Sequence, residues 1–193
     1  MTQPTHWLLM RGLSREQRHF EGFAEVFGGR LGALTRGIDF PGFGTESARR
    51  SPATITAITD DIRARFLAEE GTGKSWGVLA ISLGGMITLD WLARFPADFQ
   101  CGVVINTSAA DASRPWERFR ARNWPLIFKS LFQSPLQRER GIIDLTLNRP
   151  DLDRVVLAEK WRGFYEERQP RRSNFLRQLW AGARSRLPPR PTV

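Results

Sequence analysis

Ser82 lies where a short apolar run meets a helical pattern, and this is how a hydrolase presents a nucleophile. The run Trp76–Ile81 predicts a buried strand, and residues 83–95 predict an amphipathic helix. The positions two before and two after the serine hold small residues, Ala80 and Gly84, which allow a sharp backbone turn. A serine hydroxyl at such a turn could attack an acyl carbon. The plainer alternative is a serine that only caps the helix.

Strands and helices alternate along the part of the chain that must position this serine. The predicted strands are Trp7–Met10, Gly32–Ile38, Trp76–Ile81 and Cys101–Asn106, and the predicted helices cover residues 16–27, 51–70 and 83–95. This alternation predicts an α/β fold, with a parallel sheet of about four strands flanked by helices. Ligands bind such sheets at the carboxyl ends of the strands. Gly12-Leu13-Ser14, Phe43-Gly44 and Ser82 all fall at those ends.

Four motifs in this order resemble the α/β-hydrolase family. Arg11-Gly12-Leu13 corresponds to its oxyanion loop, Asp39–Gly44 to its D-x-P-G-x-G turn, and Ala80–Gly85 to its nucleophile elbow, here with alanine in the place of the first glycine. Val103–Ser108 resembles the family's next strand. The resemblance implies a serine hydrolase, of the carboxylesterase or lipase-like kind, that acts on a small-molecule ester or other acyl substrate. It implies no cofactor and no metal.

The resemblance also implies a role for each residue of the turn. Ser82 would be the catalytic nucleophile, and the backbone N–H groups of Leu13 and Leu83 would form the oxyanion hole. Such donors face the negative charge that develops on the acyl oxygen, and losing one typically costs about 3–4 kcal/mol. The elbow would be supported by the small residues Ala80, Gly84 and Gly85. For Gly85 we favour the simpler interpretation that it only allows the helix to pack closely on the sheet.

A base for this serine is missing from the sequence. In the family the order is serine, then an acid, then histidine, whereas His6 and His19 both precede Ser82. We therefore predict that the chain holds no triad histidine. The triad acid stays unknown, because Asp111 is more simply interpreted as a solvated loop residue. Residues 188–193 resemble the lead-in to an absent strand, so we expect a truncated enzyme that is weak or inactive.

The chain divides into a neutral first part and a basic second part. Residues 1–110 would form the hydrolase core, 111–187 a helical cap, and 188–193 a tail rich in proline and arginine. The net charge of +9 comes entirely from the second part. Helical spacing of apolar residues appears there at 124–132, 152–165 and 174–180.

The arginines of the predicted cap have three interpretations. They are a solvated surface, or they attract anionic substrates or an anionic membrane surface, or they bind nucleic acid. We do not expect the third, because no nucleic-acid-binding motif is present. The alternative function from a different class is a non-catalytic, hydrolase-like binding module whose basic cap contacts an anionic surface, with peripheral contact to anionic lipid.

The remaining features bear on where in the cell the protein is located and on whether it self-associates. A single cysteine, Cys101, fits a reducing compartment, the first residues lack a signal-peptide pattern, and no apolar run is long enough for a transmembrane segment. We therefore expect a cytoplasmic protein. The strand at 101–106 would form an exposed edge of the sheet, through which the chain could self-associate. Nothing in the sequence selects a substrate.

Overall fold

The computed structural model describes residues 3–70, 73–118, 125, 129 and 132–189. Within these ranges four parallel strands form one sheet, in the order β2-β1-β3-β4. The strands are β1 (His6–Met10), β2 (Leu34–Gly37), β3 (Trp76–Ile81) and β4 (Cys101–Ile105), and the helices between them are α1 (Gly22–Leu31), α2 (Ile55–Glu70) and α3 (Leu83–Arg94). The predicted α/β fold with a four-stranded parallel sheet is confirmed.

Helices cover both faces of this sheet. Alternate residues of β1 and β3 point to opposite faces, as the two-residue period of a strand requires. Leu8 and Val78 pack on one face with the apolar sides of α2 and α3, while Leu9 and Leu79 pack on the other with α1. The sheet centre is dry, with Leu8 and Val78 both 0% exposed.

The first helix differs from its prediction at both ends. Residues 17–20 form a separate 3₁₀ turn, and α1 continues past Gly28 and Gly29 to Leu31, where it is capped by Gly32 with a left-handed φ of 61°. The predicted end of this helix at residue 27, just before Gly28-Gly29, was wrong. Gly28 serves packing instead, because a Cβ there would lie 2.7 Å from the backbone oxygen of Ala33.

The second part of the chain adds α4 (Pro115–Arg118), α5 (Pro135–Thr146), α6 (Arg154–Arg168) and α7 (Arg172–Arg184). The helical spacings at 152–165 and 174–180 correspond to α6 and α7, whereas α5 was not predicted. The stretch at 124–132 falls mostly outside the described residues. None of the helices that can be described has the length and apolar character needed to cross a membrane.

Two buried amides attach α7 to the loops of the sheet. Asn174 accepts a hydrogen bond from the backbone N–H of Ser51 (2.9 Å) and donates one to the carbonyl of Arg49 (3.0 Å). Gln178 accepts one from the N–H of Ser14 (3.3 Å). Both side chains are 0% exposed. Since an unmade hydrogen bond is costly in such a place, these contacts hold α7 over the carboxyl ends of the strands.

Strand β4 forms one edge of the described sheet. It pairs with β3 alone among the strands present, and all five of its residues are exposed. Val103, Val104 and Ile105 are 41%, 37% and 39% exposed. An apolar edge with free backbone groups is a template for pairing with another strand.

We predict that the 193-residue chain self-associates through this edge. Val104→Lys should lower the oligomeric fraction in size-exclusion chromatography with light scattering, because a charge opposes edge-to-edge pairing. Val26→Lys, at a 58% exposed position of α1, is the matched control and should leave that fraction unchanged. A wild-type chain that elutes as a sharp monomer peak and melts cooperatively would contradict the prediction.

Candidate active site

Ser82 connects β3 to α3 in an unusual backbone conformation. Its φ of 56° and ψ of −114° lie in a region that side-chain-bearing residues rarely adopt. The chain after β4 holds it there. The N–H of Ser82 donates to the carbonyl of Ile105 (2.8 Å), and the hydroxyl of Thr107 donates to the carbonyl of Ser82 (3.1 Å). The turn therefore depends on contacts with the neighbouring strand as well as on its own residues.

Small residues allow the surrounding segments to approach this turn. The N–H of Gly84 donates to the carbonyl of Arg11 (3.1 Å), and a Cβ at Gly84 would lie 2.6 Å from that oxygen. A Cβ at Gly85 would lie 2.8 Å from the side chain of Thr107. Ala80 is 0% exposed within the sheet. The structure thus brings β1, β3 and β4 together around Ser82.

The loop after β1 passes directly beside the serine. A Cβ at Gly12 would lie 3.2 Å from the Cβ of Ser82 and 3.7 Å from its Oγ. A hydrogen bond from the N–H of Arg15 to the carbonyl of Gly12 (3.2 Å) closes this loop into a turn.

The two residues predicted to supply the oxyanion hole are sequence neighbours of Gly12 and Ser82. Leu13 follows Gly12 in this turn, and Leu83 is the first residue of α3. Within the described part of the chain, neither backbone N–H donates to an acceptor. The N-terminus of α3 adds a partial positive charge at the same place.

The D-x-P-G-x-G turn is organised by the buried carboxylate of Asp39. It accepts hydrogen bonds from the N–H of Gln17 (2.6 Å), the N–H of Thr45 (2.9 Å) and the hydroxyl of Thr45 (3.1 Å). Gly44, with a φ of 55°, passes so close to Asp39 that a Cβ would collide with the carboxylate. Asp39 is thus committed to fixing the loop.

His6 lies at the opposite end of the sheet from Ser82. It is the first residue of β1 and is in register with Trp76, the first residue of β3, whereas Ser82 follows the last residue of β3. Its Nδ1 lies 2.9 Å from the hydroxyl of Thr5. This arrangement excludes His6 as a base for Ser82 within the chain.

His19 is enclosed between the core and the second part of the chain. Its ring packs against Trp161 and Phe164, with centroid distances of 5.0 and 5.5 Å. Nε2 lies 2.8 Å from Nη1 of Arg15. Because a guanidinium only donates, Nε2 must accept, and the neutral ring then donates from Nδ1 to the carbonyl of Glu16 (3.1 Å).

Burial and the neighbouring arginines keep His19 neutral. Removal from solvent is the largest cause, followed by the charges of Arg15 and Arg11, and together they lower the pKa of His19 to about 2. Asp111 is exposed and accepts a hydrogen bond from the N–H of Leu187 (2.9 Å). Neither histidine of the sequence is thus placed to activate Ser82, and Asp111 is engaged in a loop contact.

A model of the alpha/beta hydrolase family matches residues 5–193. The chain therefore belongs to the α/β-hydrolase family, as the motifs at the ends of the strands indicated. No curated protein sequence matches the chain.

Solved structures of low sequence identity share the fold. The RedJ thioesterase of the prodiginine pathway in Streptomyces coelicolor is 17% identical, with a TM-score of 0.61 over 96% of this chain and 62% of that one. A structure from work on carboxylesterases of Nitrososphaera gargenis is 16% identical, with a TM-score of 0.63 over 95% and 65%. A lipase-esterase related protein of Clostridium acetobutylicum is 18% identical, with a TM-score of 0.65 over 96% and 69%. The chain spans about two thirds of the length of these proteins.

The neutral state of His19 predicts a pH dependence of folding stability. The unfolded chain binds a proton at His19 below about pH 6.5, while the folded chain does not until about pH 2. Stability should therefore fall as the pH is lowered through this window, by up to about 1 kcal/mol per pH unit from this residue. His19→Gln retains an acceptor for Arg15 and should show a shallower dependence in urea unfolding between pH 6 and 4. Parallel curves for the two proteins would contradict this assignment.

Proposed function

We propose that this protein is a serine hydrolase that cleaves an ester or related acyl bond, with Ser82 as the nucleophile. The observation that carries the proposal is the conformation of Ser82, with φ of 56° and ψ of −114°, beside the loop at Gly12. A helix cap needs no such conformation, because capping residues normally adopt extended backbone angles. Strained backbone held by several contacts is typical of functional sites.

The geometry supports stabilisation of a tetrahedral intermediate. Attack by the hydroxyl of Ser82 would place negative charge on the acyl oxygen. The N–H groups of Leu13 and Leu83, which flank the serine, would then donate to that oxygen, with α3 contributing its dipole. Helices α5, α6 and α7 would act as the cap that limits access to this position. Ala80, Gly84 and Gly85 would let the strands and loops come close enough to form it.

The catalytic rate of this chain should be low, because neither of its histidines is placed to act as a base for Ser82. A serine hydroxyl is a weak nucleophile until its proton is removed. His6 lies at the far end of the sheet, and His19 is buried and neutral. An oxyanion hole with substrate binding alone retains about 10³–10⁴-fold acceleration over water. We propose that the rate acceleration by this chain lies within this range.

We also propose that the protein is cytoplasmic.

A fluorophosphonate probe tests the role of Ser82. We expect slow labelling of the wild-type chain, at one site that peptide mass spectrometry assigns to Ser82. Ser82→Ala should abolish the labelling, because the attacking oxygen is gone. Ser173→Ala, which removes an exposed hydroxyl on α7, is the matched control and should label like the wild type.

The second candidate function is a non-catalytic, hydrolase-like module that binds an anionic surface. It is favoured by the placement of both histidines away from Ser82 and by the positive charge of the second part of the chain. Labelling that persists in Ser82→Ala would overturn Ser82 as the nucleophile. Absence of labelling in a wild-type protein that melts cooperatively would favour the binding module.

A further inference from the structure

A cleft runs between the loop after β1 and the helices α5 and α6. It consists of two adjoining cavities of about 20 and 80 Å³ that share the lining residues Ser14, Phe43, Glu139, Tyr165 and Pro170. A single water requires about 10–15 Å³ on the same scale. The larger cavity therefore has room for a group the size of several waters.

Positive charge dominates the lining of this cleft. Its charged residues are Arg15, Arg138, Arg168, Arg171 and Arg172, with Glu16 and Glu139 as the acids. Both acids are engaged by arginines. Glu139 accepts a bond from Arg15 (2.6 Å), and Glu16 pairs with Arg18. Glu139 also lies 3.8 Å from Nε of Arg138, and Glu167, outside the lining, pairs with Arg168 (3.2 Å). Five arginines against two acids still give the lining an excess of positive charge.

Three guanidinium nitrogens around the cleft find no acceptor in the part of the chain that the structure describes. They are Nη2 of Arg15, Nη2 of Arg138 and Nε of Arg168. The side chain of Arg15 is only 8% exposed, and its Nη1 is already shared by Glu139 and His19. Buried charged donors without acceptors are costly and are normally satisfied. An anion in the larger cavity would supply an acceptor to Arg138, whereas Arg15 and Arg168 line the smaller cavity beside it.

Aromatic rings lie against two of these arginines. The guanidinium of Arg15 lies 5.0 Å from the ring centre of Trp161, and that of Arg138 lies 3.8 Å from the ring centre of Tyr165. A planar donor held against an aromatic face is pre-organised to bind an oxyanion. His19 adds no charge to this group, since it is neutral.

We propose that this cleft is a binding site for the phosphate group of a small soluble ligand. Arg138 donates to its oxygens in the larger cavity, which Arg171 and Arg172 also line, while Arg15 and Arg168 line the smaller cavity that adjoins it. The site lies beyond Ser14, on the same loop that carries Gly12 beside Ser82. Its occupancy does not require Ser82 to react, so the site is a feature additional to the hydrolase activity.

Isothermal titration of the full chain with inorganic phosphate, at ionic strength held constant with chloride, tests the proposal. We expect one phosphate per chain and an affinity that Arg138→Gln weakens about tenfold or more, as for the loss of a charge-assisted hydrogen bond. Arg140→Gln removes the same charge from an exposed position of α5 and should change the affinity less than about twofold. Arg168→Gln provides a second variant at a position where the side chain is 38% exposed.

Two results would overturn the proposal. Equal weakening by Arg138→Gln and Arg140→Gln would show diffuse attraction to a basic surface. Absence of phosphate binding, combined with sedimentation on phosphatidylcholine vesicles containing phosphatidic acid, would assign the arginines to a lipid surface. Glycerol phosphate that binds in solution with the same dependence on Arg138 would support the site.

Discussion

The candidate active site depends on keeping Ser82 in a backbone conformation that residues with a side chain rarely adopt. Ser82 cannot relax from its positive φ, because its N–H is bound by Ile105 and its carbonyl by Thr107. Strain of this kind costs of order 1–3 kcal/mol and persists only where surrounding contacts over-determine it. Gly12 and Gly84 let the end of β1 and its loop approach the same turn, since a Cβ at either position would meet its neighbours.

Helices of the second part of the chain stabilise the loops that follow β1 and β2. Asn174 and Gln178 bind the loops that follow β1 and β2, and the buried pair of Arg15 and Glu139 connects the β1 loop to α5. Removing one partner of such a pair is expected to destabilise by about 3–5 kcal/mol, because a buried charge is left alone. The loops around Ser82 are therefore held both by the sheet and by helices α5 and α7.

The sequence was enough to predict the sheet, its parallel strands and the loops at their carboxyl ends. Short continuous apolar runs such as Trp76–Ile81 and the small residues around Ser82 act locally, so they are visible in a short window. The contacts of Asn174 and the pair of Arg15 with Glu139 were not predictable, because residues more than 120 positions apart meet there. Helix α5 was missed because its apolar face is short, and Gly28 was taken for a helix end because its packing role depends on Ala33.

Chemical rescue by imidazole tests most directly the central claim, which is that Ser82 is positioned to attack but lacks a base. Hydrolysis of a p-nitrophenyl ester would be measured against imidazole concentration for the wild type and Ser82→Ala, since imidazole also cleaves such esters by itself. The rate of the wild type in excess of Ser82→Ala should rise with imidazole, because the added base takes the proton from the hydroxyl. Equal rates of the two proteins at every imidazole concentration would contradict the claim.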